Sequence, residues 1–301
     1  MENFIITMTY LILGVGLRRL PRFHEETGNV LSLFVIYVSL PAVVLLKIPE
    51  LKFSTDLLVP TLMPWAMLLL TALAVLVLAR LFGWSRPITG SLLLLAPLGN
   101  TSFLGIPMVS AFFGEGTISY AVIYDQLGSF LALATYGTVV ISIYGSGGER
   151  HGWRDVAGRI VTFPPFIALF LAVALRSAVY PEVALRILES LGGTLVPLVM
   201  IAVGFQLTVK ISREALAPLG LGLFLKLVAA PLIALAGSRI LGLSGEAVDV
   251  AIFEAGMPPM VSAGALAILA GLAPSLTAAL VGLGIILSFV TLPLLYYLLS
   301  L

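Results

Sequence analysis

The chain has 301 residues, 60% of them hydrophobic and 10% charged, with a formal net charge of +1. A soluble domain carries about 25% charged residues, so this composition cannot clothe a globular surface, and its main solvent must be lipid. No basic run points to nucleic acid, and the absence of cysteine excludes disulfides, thiolate metal sites and cysteine nucleophiles.

A membrane-crossing helix needs about 20 apolar residues. Charges and turn residues cut the chain into ten such spans: 3–19, 28–47, 56–82, 87–113, 116–144, 156–179, 183–208, 214–241, 246–271 and 275–300. The opening MENFIITMTYLILGVGLRRLPRF has no basic leader and no small-residue cleavage site before Arg18, so it reads as a retained first span rather than a signal peptide. One set of alternate loops holds Arg18, Arg19, Arg22, Arg80, Arg86, Arg150, Arg154, Arg159, Lys210 and Arg213; the opposite set holds only Lys47, Lys52, Arg176, Arg186 and Arg239. Basic residues accumulate on the cytoplasmic side. The linker GSGGERHGWRD (145–155) is therefore expected in the cytoplasm and both termini outside it, in a multi-pass protein of a bacterial or archaeal cytoplasmic membrane.

Five spans lie on each side of that linker, and the two halves echo one another. Span 2 carries LPAVVLLKI around Pro41 and span 7 carries VPLVMIAVGFQL around Pro197, 156 residues later. Spans 5 and 10 share Ser129-Phe130 and Ser288-Phe289. Span 4 has GNTSFLGIPM and span 9 has EAGMPPMVSAG, each with helix breakers at mid-span. An odd number of spans per half sets the halves in opposite orientation, the pattern of an inverted repeat with one broken helix in each.

Proline has no N–H and clashes with the preceding turn, so Pro107, Pro258 and Pro259 cannot sit in straight helices. Irregular backbone at membrane depth is tolerated only inside protein or beside a wet cavity. Two breaks crossing at one depth satisfy that condition together. Their half-helix N-termini offer free N–H groups and partial positive charge to an anionic or polar ligand. Gly99, Asn100, Thr101, Ser102 and Pro107 on one span, with Met257, Pro258 and Pro259 on the other, are the candidate substrate site. The competing explanation is that these prolines and glycines only kink packed helices.

These residues resemble the auxin efflux carrier family, which includes plant auxin exporters and malonate-transporter-like bacterial members. The matching stretches are GNTSFLGIP (99–107), YDQLG (124–128), the span-9 proline break and the closing LSFVTLPLLYYLL (287–299), in order along essentially the whole chain. The resemblance implies an all-α, ten-helix inverted repeat of the kind found in bile-acid sodium symporters, with helices 4 and 9 broken and crossing. It implies scaffold helices 1–2 (residues 1–55) and 6–7 (156–212), which often dimerise. It also implies transport-domain helices 3–5 (56–144) and 8–10 (213–301), elevator-type alternating access and an organic-anion substrate. Asn100 matches the asparagine that meets the substrate carboxylate in the plant carriers. Their second asparagine, at the helix-9 crossing, is replaced here by Met257-Pro258-Pro259-Met260, and the long cytoplasmic loop of many plant members is absent.

Ionisable residues inside spans are costly and usually face protein or a water path. Asp125, beside Gln126 in span 5, reads either as a proton or cation site or as a structural partner of Lys226 in span 8. In the related symporters an acidic residue of helix 9 contributes to a sodium site. Glu254 with Gln126 and the Asn100-Thr101-Ser102 oxygens is the corresponding candidate here, and a proton-titrating or structural carboxyl is its rival. His24 and His151 fall in loops. Gly14, Gly16, Gly282 and Gly284 read as packing sites, as do Ala263, Ala267 and Gly271. No metal centre, cofactor or catalytic constellation is expected, which disfavours an enzyme. The expected function is a secondary transporter of a small organic anion. A sodium-coupled symporter and, further off, a channel or receptor are the alternatives.

Overall fold

The computed structural model describes residues 2–51, 55–146, 153–176, 178, 180–207 and 216–301. Lys52, Arg150, His151, Lys210, Arg213 and residues 147–152 of the predicted linker lie outside them. The described residues are helical without named strands. In chain order the helices are α1 (Glu2–Leu17), α2 (Thr27–Lys47), α3 (Leu58–Phe82), α4 (Arg86–Leu95), α5 (Thr101–Phe113), α6 (Glu115–Tyr144) and α7 (Trp153–Val161). There follow α8 (Pro164–Ala174), α9 (Glu182–Gln206), α10 (Leu216–Ile240), α11 (Glu246–Ala255), α12 (Val261–Leu269) and α13 (Pro274–Leu299). Among the described residues, six of these (α2, α3, α6, α9, α10 and α13) are long and apolar enough to cross a membrane by themselves. The protein is thus an all-helical, multi-pass membrane protein.

Span 9 divides into α11 and α12 at the predicted Pro258-Pro259, and span 4 into α4 and α5 around Gly99; Pro107, also expected to break span 4, lies inside α5. Span 6 differs from the expected single segment 156–179. It splits at Pro164-Pro165 into α7 and α8, because the residue before a proline is driven out of the helical region, and Phe163 adopts ψ 117°.

Three helices accommodate proline by the same device. A π turn ends two residues ahead of Pro41 (Val35–Ser39), of Pro107 (Thr101–Gly105) and of Pro231 (Leu225–Ala229). The proline ring denies its own i−4 bond, and the residue before it reaches one position further back: Leu40 N–H donates to the Val35 carbonyl, and Ala230 N–H to that of Leu225.

Two compact units emerge. The first comprises residues 1–54, 102–122 and 158–207. Within it α1 lies along α9, and α2 packs on α8 and α9. Gly14 faces the Ile201 carbonyl and Gly204 the Leu11 carbonyl, so close that neither position has room for a Cβ. Gly16 has open space where a Cβ would sit and is not a packing site. Residues 102–122 join this unit, although the sequence reading places them with transport-domain helices, because α5 packs on α1 and α9.

The second unit comprises residues 55–101, 123–157 and 208–301. Its centre is α4, whose residues Thr89 to Leu95 are all buried, as expected of a helix surrounded by protein. Leu92, Leu93, Leu94 and Leu95 share a core with Leu219, Leu223, Leu276, Leu280, Ala263 and Ala267. Ser91 and Thr277 join α4 to α13 through a hydroxyl pair 2.7 Å apart. Gly264 leaves room for Val281, and Gly284 for the ring of Pro259.

Candidate functional site

The second unit brings the two helix breaks onto each other. Gly99 and Pro259 form an antiparallel bridge: Asn100 N–H donates to the Pro258 carbonyl at 2.8 Å, and Met260 N–H to the Leu98 carbonyl at 3.0 Å. Each break thereby satisfies backbone groups that the other leaves open, as lipid depth demands. Gly99, Asn100, Thr101, Met257, Pro258 and Pro259 are all buried here. Ser102 and Pro107 fall within the first compact unit, Ser102 half-buried and Pro107 buried.

The prolines free helical carbonyls, and the donors that take them can be named. Pro97 has no N–H for the Leu93 carbonyl, and the Tyr136 hydroxyl donates to it at 2.9 Å. Pro259 has none for the Ala255 carbonyl, and Lys226 Nζ donates there at 3.1 Å. The same ammonium lies 3.5 Å from the Pro97 carbonyl. Lys226, only 3% exposed, therefore sits at the C-terminal ends of both α4 and α11, where the helix dipoles are negative. Gly99 makes room for it: a Cβ there would stand 3.0 Å from Nζ and 3.3 Å from Cε.

Asp125 belongs to a π-helical stretch of α6, Tyr124–Phe130. Its Oδ1 accepts from the Thr101 hydroxyl at 2.5 Å and its Oδ2 from Gln126 Nε2 at 2.7 Å. A carboxyl that accepts at both oxygens is arranged as an anion. Asp125 thus ties α6 to the first residue after the α4 break. Lys226, weighed from the sequence as a structural partner of Asp125, donates to the carbonyls of the two breaks.

Glu254, in the last turn of α11, is fully buried. Neither of its carboxyl oxygens, nor Gln126 Oε1, meets a hydrogen-bond donor among the described residues. Asp125, Lys226 and Tyr124 all lie within electrostatic reach of Glu254. Buried polar atoms without partners mark a place where a proton, an ion or water belongs. No cluster of three metal-ligating side chains occurs among the described residues. His24 is exposed in a loop.

Pro97 and Tyr136 were not visible as site residues in the sequence. The proline stands in an unremarkable LLLLAPLGN, and nothing in a pattern reveals which distant hydroxyl will meet the carbonyl it frees.

A model of the membrane transport protein family matches residues 1–151 and 154–296. The chain is 31% identical over 297 residues to an uncharacterized transporter of Methanothermobacter thermautotrophicus, covering 97% of this chain and 96% of that one. It is 27% identical over 267 residues to an uncharacterized transporter of Methanocaldococcus jannaschii, covering 86% of this chain and 85% of the other. With its sequence matched nearly end to end and its helices of membrane-crossing length, the chain belongs to the membrane transport protein family, the family of the auxin efflux carriers.

Proposed function

We propose that the chain is a secondary transporter for a small organic anion, a mono- or dicarboxylate, held at the crossing of spans 4 and 9 and carried by elevator-type alternating access. The observation that carries this reading is the mutual pairing of the two breaks through Gly99 and Pro259. Two interrupted helices that complete each other's backbone form a polar point at membrane depth, with the N-termini of α5 and α12 beginning beside it. Gly99, Asn100, Thr101, Met257, Pro258 and Pro259, all within the second unit, are the proposed substrate residues.

The ten spans form two inverted five-helix repeats in this reading, with spans 1, 2, 6 and 7 as a scaffold that supports a homodimer and both termini outside the cytoplasm. Asp125, Gln126, Glu254 and Lys226 form the coupling group. One ammonium among two carboxyls leaves one carboxyl to be neutralised by a proton or a cation, which favours a gradient-driven carrier over a passive one. Nothing in the sequence supplies a nucleotide-hydrolysing motif, so the energy is that of a gradient.

The test is uptake into proteoliposomes of a carboxylate panel from malonate to indole-3-acetate, each with a proton gradient, a sodium gradient or neither. Saturable uptake accelerated by unlabelled substrate on the opposite side supports a carrier. Flux without saturation or such stimulation identifies a channel, and failure of every anion refutes the carboxylate reading.

A further inference from the structure

We propose that the Lys226 ammonium is a tethered cation filling an oxygen cage between the two helix breaks, so that the fold and its transport need no Na⁺ there. Two backbone carbonyls line the cage, with a carboxyl further off. The Ala255 carbonyl, orphaned by Pro259, lies 3.1 Å from Nζ. The Pro97 carbonyl, at the end of the other half-helix, lies 3.5 Å away. The buried Glu254 carboxyl acts on the ammonium only at longer range, since its oxygens meet no hydrogen-bond donor among the described residues, Lys226 included.

Two carbonyls at the negative ends of helix dipoles, with a carboxylate nearby, are hard oxygen donors of the kind alkali and alkaline-earth cations select. A free cation bound there would offset the same charges but would have to be captured from solution and could leave. A lysine carried on α10 occupies the cage permanently. The fit is built in: Gly99 has no side chain, so Nζ can come within 3.0 Å of where its Cβ would stand. The π turn Leu225–Ala229 includes Lys226 itself. The assignment removes this cage from the places a coupling Na⁺ could occupy, and so favours the proton of the coupling ions left open above.

The experiment needs no substrate, so its outcome is independent of the anion reading. The thermal unfolding midpoint of the purified protein is compared in NaCl, KCl and choline chloride at one ionic strength. The wild type is expected to give the same midpoint in all three. Lys226→Ala opens the cage, lowers the midpoint by several degrees in choline and KCl, and regains a large part of it in NaCl. Lys226→Ala with Glu254→Gln removes both charges and loses the sodium response. Sodium-specific stabilisation of the wild type overturns the proposal, as does a Lys226→Ala protein as stable in choline as the wild type or one without a sodium-specific gain. If Lys226→Ala yields no folded protein, recovery of folding in the double variant supports the cage, and its absence overturns it.

Discussion

The Tyr136 hydroxyl donates to the Leu93 carbonyl, the acceptor that Pro97 leaves without a helical partner four residues on. A tyrosine half-buried in α6 thus completes the last turn of α4, and the helix can stop at membrane depth without an exposed carbonyl. Tyr136→Phe is expected to leave that carbonyl unsatisfied and to cost about 1–3 kcal/mol. The check is the unfolding midpoint in detergent together with amide exchange in α4; unchanged exchange at Leu95 and Ala96 would remove Tyr136 from its role as a cap.

Thr101→Val tests the link from the break to α6. The hydroxyl donates to Asp125 at 2.5 Å inside the protein, and a hydrogen bond to a charged group contributes roughly 1.5–3 kcal/mol. Valine should lower stability by that order and serine should restore it. Equal stability of the valine and serine variants would show the bond to be dispensable.

Gly99→Ala should be far more damaging than its size suggests. The added methyl would press on the Lys226 ammonium, whereas Gly220→Ala, on α10, meets nothing within 4 Å. The expected outcome is inserted protein with transport largely lost for the first and transport like the wild type for the second. Full transport by Gly99→Ala would mean that Lys226 can withdraw from the breaks without consequence.

Asn100→Ala bears on the substrate. If its amide meets a buried carboxylate, its removal should weaken binding by about 1–3 kcal/mol, a rise of about tenfold or more in half-saturating concentration. A half-saturation concentration that stays at the wild-type value would place the carboxylate elsewhere.

The interruption of span 9 was legible because its paired prolines act locally, on their own turn, and that of span 4 through Gly99, although Pro107 is carried inside α5 by a π turn. Gly14 and Gly284 were legible as packing positions because small residues in apolar helices have little other use. What the residues take hold of was not legible. The bridge from Gly99 to Pro259, the Lys226 contact with two distant carbonyls and the Tyr136 cap all join positions at least 29 residues apart, and apolar periodicity carries no record of which strangers meet. Span 6 was misread for another reason: its mean apolarity hid Pro164-Pro165, and composition outweighed local backbone chemistry. The resemblance places residues 102–122 with the transport-domain helices, and within the first compact unit α5 packs on α1 and α9, a partner choice that no local pattern records.

The π turns ahead of Pro41, Pro107 and Pro231 have a consequence for how this chain can change length. Each holds one residue more than α geometry requires, and one residue is about 100° of rotation around the axis. Deleting Val228 would close such a turn and swing everything beyond it in α10 by that angle, carrying Ser238, now buried, toward a different side of the helix. Length and facing are therefore coupled at these three points: a helix can lose its extra residue only by presenting another face to its neighbours.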